Sequence, residues 1–138
     1  MLEKYIPDFD EDRYIEQIQK DAAVRNNTIT KREALSLVLK SEPKENYYQK
    51  KIMDAIHKRW PEAYVIKIAQ GAYSTAGVPD IMVVLHGRYY GIEVKRPVGG
   101  KLSKLQELSI LRIGRAGGVA GVCHWPEEAI DMIERNDG

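Results

Sequence analysis

Two short apolar runs, Asp80–Leu85 (DIMVVL) and Tyr89–Lys95 (YYGIEVK), meet at the dipeptide His86-Gly87. β-Branched and aromatic residues dominate both, and so short a connection allows only an antiparallel hairpin. A type I′ turn needs positive φ at both central residues. Gly87 is at ease there, and His86 tolerates it better than most residues. That turn fixes the register: Leu85 faces Arg88, Val84 faces Tyr89 and, counting outward, Asp80 faces Glu93. Directly opposed residues share a face, with Cβ atoms about 4.5–5.5 Å apart. Two carboxyl groups are thus set side by side. Lys95, two residues beyond Glu93, leaves the same face, while Val94 points into the core.

The rest of the chain can be read around this hairpin. Tyr14, Ile15, Ile18 and Ala22 recur at helical spacing, and Thr30 with Glu33 forms a capping box that opens a second helix over Ala34–Lys40. Pro43 separates this region from a third helix over Glu45–Arg59, with Ile52, Ala55 and Ile56 on its buried stripe and Trp60-Pro61 at its end. Ala63–Ala69 reads as a strand and Gln70–Val78 as a loop. After a Pro/Gly loop over 96–101, Ser103 and Gln106 make a second capping box, on a helix that ends at Gly117-Gly118. Val119–His124 is a fourth strand, and Pro126 opens a last helix to about Arg135. The order predicts an α/β domain: a mixed four-stranded sheet flanked by helices, residues 44–138, behind a helical extension, residues 1–43.

At 138 residues the chain holds one core comfortably. No apolar run approaches the ~20 residues that span a bilayer, the start lacks a basic-then-apolar signal pattern, and one cysteine rules out an internal disulfide. A cytoplasmic setting, in a bacterium or a phage-infected cell, is expected. The net charge of +1 hides an asymmetry: residues 44–104 carry eleven Lys and Arg against five Asp and Glu, and both flanks are acidic. A basic middle suits a polyanion, and it equally suits a solvated face.

Paired carboxylates repel and hold on to a proton unless a cation joins them. Hard divalent ions such as Mg²⁺ or Mn²⁺ take such oxygens together with waters and a substrate phosphate. A lysine beside them can orient the attacking water or offset charge on a phosphoryl group. The same trio could also be a solvated ion-pair face. Two features count against that: both strands are apolar enough to be covered on both faces, and the charges lie at strand ends beside glycine-rich loops, where a cleft is expected.

The series Gly77-Val78-Pro79-Asp80, then Ile92-Glu93-Val94-Lys95-Arg96-Pro97, then Lys101-Leu102-Ser103-Lys104-Leu105-Gln106, resembles the VRR-NUC (virus-type replication-repair nuclease) domain of the PD-(D/E)XK superfamily, in its stand-alone phage and bacterial form. The match covers roughly residues 45–125. The resemblance implies a restriction-endonuclease-like fold and Mg²⁺- or Mn²⁺-dependent phosphodiester hydrolysis in DNA. Asp80 and Glu93, helped by the backbone carbonyl of Val94, would be metal ligands and Lys95 the catalytic lysine. Glu45, with Gln49 four residues on, matches a helical glutamate near the metal that acts through water; it also suits an ordinary helix N-terminus. Gln106 matches a family glutamine beside the site. Stand-alone members resemble Holliday-junction resolvases and work as homodimers, so a structure-selective endonuclease acting on branched DNA is expected. The alternatives are a flap, nicking or restriction-like nuclease, or a non-catalytic DNA-binding module.

Lys101 and Lys104, with Arg96 and Gln49, are the DNA-contact candidates, and Gln70 and Tyr73 read as loop filler, not as substrate contacts. His57, His86 and His124 lack ligand spacing; His86 reads as a turn residue and none of the three as catalytic. Cys123, Trp60 and Trp125 read as packing residues.

Overall fold

The computed structural model describes residues 2–69 and 76–138, so Gln70 and Tyr73 lie outside the described residues. Five helices and four strands run in the order α1 (Glu11–Val24), α2 (Lys31–Ser41), α3 (Glu45–Arg59), β1 (Tyr64–Lys67), β2 (Ile81–Leu85), β3 (Arg88–Val94), α4 (Lys104–Arg115), β4 (Val119–Cys123) and α5 (Pro126–Asn136). The strands form one sheet in the order β1-β2-β3-β4, antiparallel except for the parallel β3–β4 pair. This is the expected α/β architecture. The parallel pair needs a crossover, and α4 supplies it.

The hairpin has the anticipated register, with Leu85 opposite Arg88 and Ile81 opposite Ile92. His86 and Gly87 sit at φ +50° and +81°, as a type I′ turn demands. His86 Nδ1 also meets Asp137 at 2.9 Å, tying the turn to the end of α5. Both capping boxes form, Thr30 with Glu33 and Ser103 with Gln106.

Alternation along the hairpin sends Ile81, Val83, Leu85, Tyr90, Ile92 and Val94 to one face, where all are buried. Helices α3 and α5 pack together over that face through Ile52, Ile56, Ala129 and Ile133, and Trp60, Cys123 and Trp125 are buried with them. The opposite face is less enclosed than its apolar sequence suggests. There α4 covers β3 and β4, with Ile113 against Gly91 and Gly118. Over β1 and β2, Tyr64 and Val84 remain exposed, and α4 has no buried residue of its own. The face bearing Asp80 and Glu93 is therefore half open. Among the described residues, no helix is long and apolar enough to cross a membrane.

The N-terminal residues are woven into this core. The Leu2 side chain is buried, its N–H donates to Glu42 Oε2 at 2.8 Å, and its carbonyl accepts from Tyr48 Oη and Trp125 Nε1, each at 2.9 Å. Phe9 and Tyr5 pack edge-on against Trp125.

The turn offers a clean test of register. Nothing lies within 4 Å of a Cβ built on Gly87, so Gly87→Ala costs only the left-handed backbone, about 1–2 kcal/mol. Gly87→Asn should recover part of it. Urea unfolding of the two variants checks both, and equal stability of Gly87→Ala and wild type would contradict the turn.

Candidate active site

Asp80 stands at the threshold of β2, held there by pairing on both sides of the strand. Its carbonyl accepts from the Ile68 N–H at 2.8 Å, and its Oδ2 accepts from the Val94 N–H at 2.8 Å. The second bond ties the head of β2 to the tail of β3 and aims the Asp80 carboxyl across the hairpin. Glu93 comes from the last turn of the pleat in β3 and is almost completely buried, at 1% exposure. Its Oε1 accepts from Gln106 Nε2 at 2.8 Å and lies 3.9 Å from Lys95 Nζ. Its Oε2 is buried with no hydrogen-bond partner. The Asp80 carboxyl acts on it electrostatically, and as two carboxylates both are acceptors, so neither satisfies the other.

Gln106 serves two structures with one amide. Its Oε1 accepts from the Ser103 N–H at 2.9 Å, closing the capping box, and its Nε2 donates to Glu93. The helix start of α4 is thereby fastened to the carboxylate pair. Gly77 makes the close approach possible: at φ +84° it lies against Leu105, where a Cβ would come within 2.6 Å of backbone.

Burial, first of all, pushes the Glu93 carboxyl above the ordinary carboxylate range. The charge of Asp80 and the hydrogen bond shared with it add to that, Lys95 opposes it, and Glu45 adds slightly. The Glu45 carboxyl, at the first position of α3, is raised by burial and by Asp80, against the cations of Lys95, Arg96 and Lys67. Four of the five site residues read from the sequence therefore share one electrostatic environment, and Gln106 is bonded into it. Among the described residues, no three His, Cys, Asp or Glu side chains converge tightly enough to hold a metal by themselves. Glu45 accordingly joins the electrostatics of the pair without closing around it.

The DNA-contact candidates separate in space. Lys101 is exposed just ahead of α4, and Lys104 is exposed at its first position. Gln49 is buried in α3. Arg96 Nη2 donates to the carbonyls of Leu39, at 2.8 Å, and Glu42, at 3.2 Å, which end α2. Two further groups border the site. Lys67, at the end of β1, acts on Glu45. His124 donates from Nδ1 to the Lys95 carbonyl at 2.7 Å. The sequence around it shows no ligand spacing, and only the parallel β3–β4 pairing brings it there.

A mixed sheet with a crossover helix, two carboxyls opposed across a hairpin and a lysine on the same face make a PD-(D/E)XK-type nuclease fold. Among solved structures, one described as a VRR_NUC domain has this architecture, with 25% sequence identity and a TM-score of 0.51, over 67% of this chain and 97% of that one. The Holliday junction resolvase Hjc of the archaeal hyperthermophile Archaeoglobus fulgidus aligns over 58% of this chain and 67% of its own, at 22% identity and a TM-score of 0.41. No family model and no curated protein matches the sequence. The resemblance carried by the GVPD, IEVKRP and KLSKLQ segments thus extends to the fold.

A pH dependence follows from the raised carboxyls. Folded Glu93 keeps its proton to higher pH than it does in the unfolded chain, and so does Glu45. Between the ordinary value, about 4.3, and the raised one, the unfolded state binds fewer protons, so stability falls as pH rises. In EDTA, the wild type should lose stability between about pH 5 and about pH 8, and Glu93→Gln should lose less. Equal losses of urea-derived unfolding free energy across that pH range in the two proteins would contradict this.

Proposed function

We propose that this protein is a metal-dependent DNA endonuclease that hydrolyses phosphodiester bonds in branched DNA, acting on four-way junctions as a homodimer. The observation that carries the reading is the buried Glu93 carboxyl. It faces Asp80 with one oxygen unpartnered and with Lys95 beside it. A purely structural acid would have its acceptors filled, whereas this pair is left short of a cation. Asp80 and Glu93, with the Val94 carbonyl, would hold Mg²⁺ or Mn²⁺, and Glu45 would act through water. Two carboxylates and a carbonyl suit a hard ion that keeps several of its own waters, so a tighter protein cluster is not required. Such an ion would supply polarisation of a phosphoryl oxygen and a lowered pKa for water at the site.

The chain's own residues supply the remainder. Gln106 fixes the Glu93 carboxyl by gripping Oε1, so that Oε2 is the oxygen free to bind. The Val94 N–H holds Asp80 in the same way. Lys95, at 15% side-chain exposure, is partly shielded, so its ammonium offsets charge on the phosphoryl group more strongly than it could in bulk water. Lys101 and Lys104 are exposed toward solvent and are assigned to backbone phosphates, which position DNA without reading sequence. Gln49, buried inside α3, is assigned no contact with DNA. The preference for junctions and the homodimer rest on the family resemblance, since two strands of a four-way junction are cut symmetrically by two paired sites.

The test is a cleavage assay on labelled four-way junction, flap, duplex and single-stranded DNA, with Mg²⁺, Mn²⁺ or EDTA. Paired symmetric nicks on the junction are expected, absent in EDTA and abolished by Asp80→Ala, with Lys95→Ala slower by about 10²–10³-fold. Metal-dependent cutting of the other substrates alone would replace the resolvase with a flap, nicking or restriction-like enzyme. Binding without cutting under every metal would leave a DNA-binding module.

A further inference from the structure

Behind Lys95 the chain leaves the sheet and makes a short turn, residues 96–100, that is gripped from several directions. At the root, the Lys95 N–H donates to the Cys123 carbonyl at 3.2 Å, and the Lys95 carbonyl accepts from His124 Nδ1. One residue on, the Arg96 guanidinium ties to the two carbonyls that end α2. Pro97 and Val98 are buried. Gly99, at φ +79°, has the Leu39 side chain of α2 against it, and its N–H donates to Glu11 Oε1 of α1 at 2.8 Å. The turn then closes on its own start. A Cβ on Gly100 would meet Arg96 O and Lys95 Cβ, each at 2.8 Å. Whatever holds Gly99 and Arg96 in place therefore also holds the stem of the Lys95 side chain.

Every one of the α1 and α2 contacts crosses more than fifty positions of sequence, and all converge on this turn. A segment added only for bulk would bury apolar side chains, as Leu2 and Ile15 do. It would have no need to present a carboxylate to an exposed loop amide and two carbonyls to an arginine. We propose that the N-terminal helical segment is a built-in clamp that sets the position of Lys95 through the 96–100 turn. Glu11 and Arg96 are its positioning residues, and His124 is the fastener on the opposite side. On this account Arg96 works inward, on the turn, and is not a phosphate contact. The proposal rests on Lys95 serving hydrolysis, as argued above. Misplacing a catalytic group by about 1 Å can cost 10²-fold in rate, so a loosened clamp should register in turnover.

Glu11 allows a controlled test because its neighbour Asp12 shares the first turn of α1 and pairs with Lys31 instead of the loop. Three variants are compared: Glu11→Ala, Glu11→Gln, which keeps an acceptor oxygen, and Asp12→Ala, which removes a first-turn charge elsewhere. Two readouts are taken, amide exchange at Gly99 without DNA or metal, and kcat and KM on a four-way junction with Mn²⁺. Gly99 is exposed, so its amide should be protected only while Glu11 holds it. Glu11→Ala should speed Gly99 exchange and lower kcat about tenfold with KM unchanged. Glu11→Gln should restore both, and Asp12→Ala should alter neither. Wild-type exchange and turnover in Glu11→Ala, a loss confined to KM, or an equal loss in Asp12→Ala would overturn the clamp.

Arg96→Gln tests the second anchor: kcat should drop while the dependence of DNA affinity on salt stays as in wild type. A salt slope reduced by about one would mark a lost phosphate contact and contradict the assignment. Should the wild type cut no DNA at all, the nuclease reading fails by itself. Gly99 exchange would still decide the clamp, supported if Glu11→Ala releases a protected amide and overturned if the wild-type amide is unprotected.

Discussion

Two carboxyl groups brought together by an antiparallel register, one of them buried, are the constraint around which this domain is arranged. Apposing Asp80 and Glu93 is unfavourable in itself, since burial and mutual repulsion both oppose ionisation. The fold tolerates it because each acid is held by a neutral donor: the Val94 N–H on Asp80 and the Gln106 amide on Glu93. Neither donor neutralises the pair. On the proposed function a divalent cation would relieve this electrostatic deficit, and perturbed carboxyls of this kind cluster at functional sites.

The donors in turn come from elements with other duties. Gln106 caps α4 while it orients Glu93, so the crossover helix cannot shift without disturbing the acid. His124 lies directly after β4 and reaches the Lys95 carbonyl, so the parallel strand pair fixes the lysine's backbone from the side opposite the N-terminal helices. Sheet topology, helix capping and site geometry are thus one set of hydrogen bonds viewed from different places. Beside this hydrogen-bonded cluster the face over β1 and β2 is half open, with Tyr64 and Val84 exposed.

What could be read from the sequence was what local chemistry decides. The His86-Gly87 turn dictated the register and hence the apposition of the two acids, because side-chain alternation leaves no freedom once the turn is set. Thr30, Ser103 and Pro126 announced their helices through capping chemistry, and α3 runs over the residues its apolar spacing marked. What stayed hidden depends on contacts distant in sequence. Arg96 looked like one more cation beside a nuclease motif, and nothing near it hinted that the end of α2 would receive its guanidinium. His124 carries no local motif, and its partner lies on another strand. The capping box marked where α4 begins, yet Leu105, Leu108 and Leu111 are exposed, and capping chemistry does not say what will cover a helix face.

The central claim is that the Asp80–Glu93 pair is a cation site. Anomalous diffraction from crystals soaked in Mn²⁺ tests it most directly. The account predicts a manganese peak at the two carboxyls, with Glu93 Oε2 among the oxygens that would hold it. A soaked crystal in which the manganese settles elsewhere, or in which the two carboxyls remain together sharing a proton with no ion between them, would contradict it.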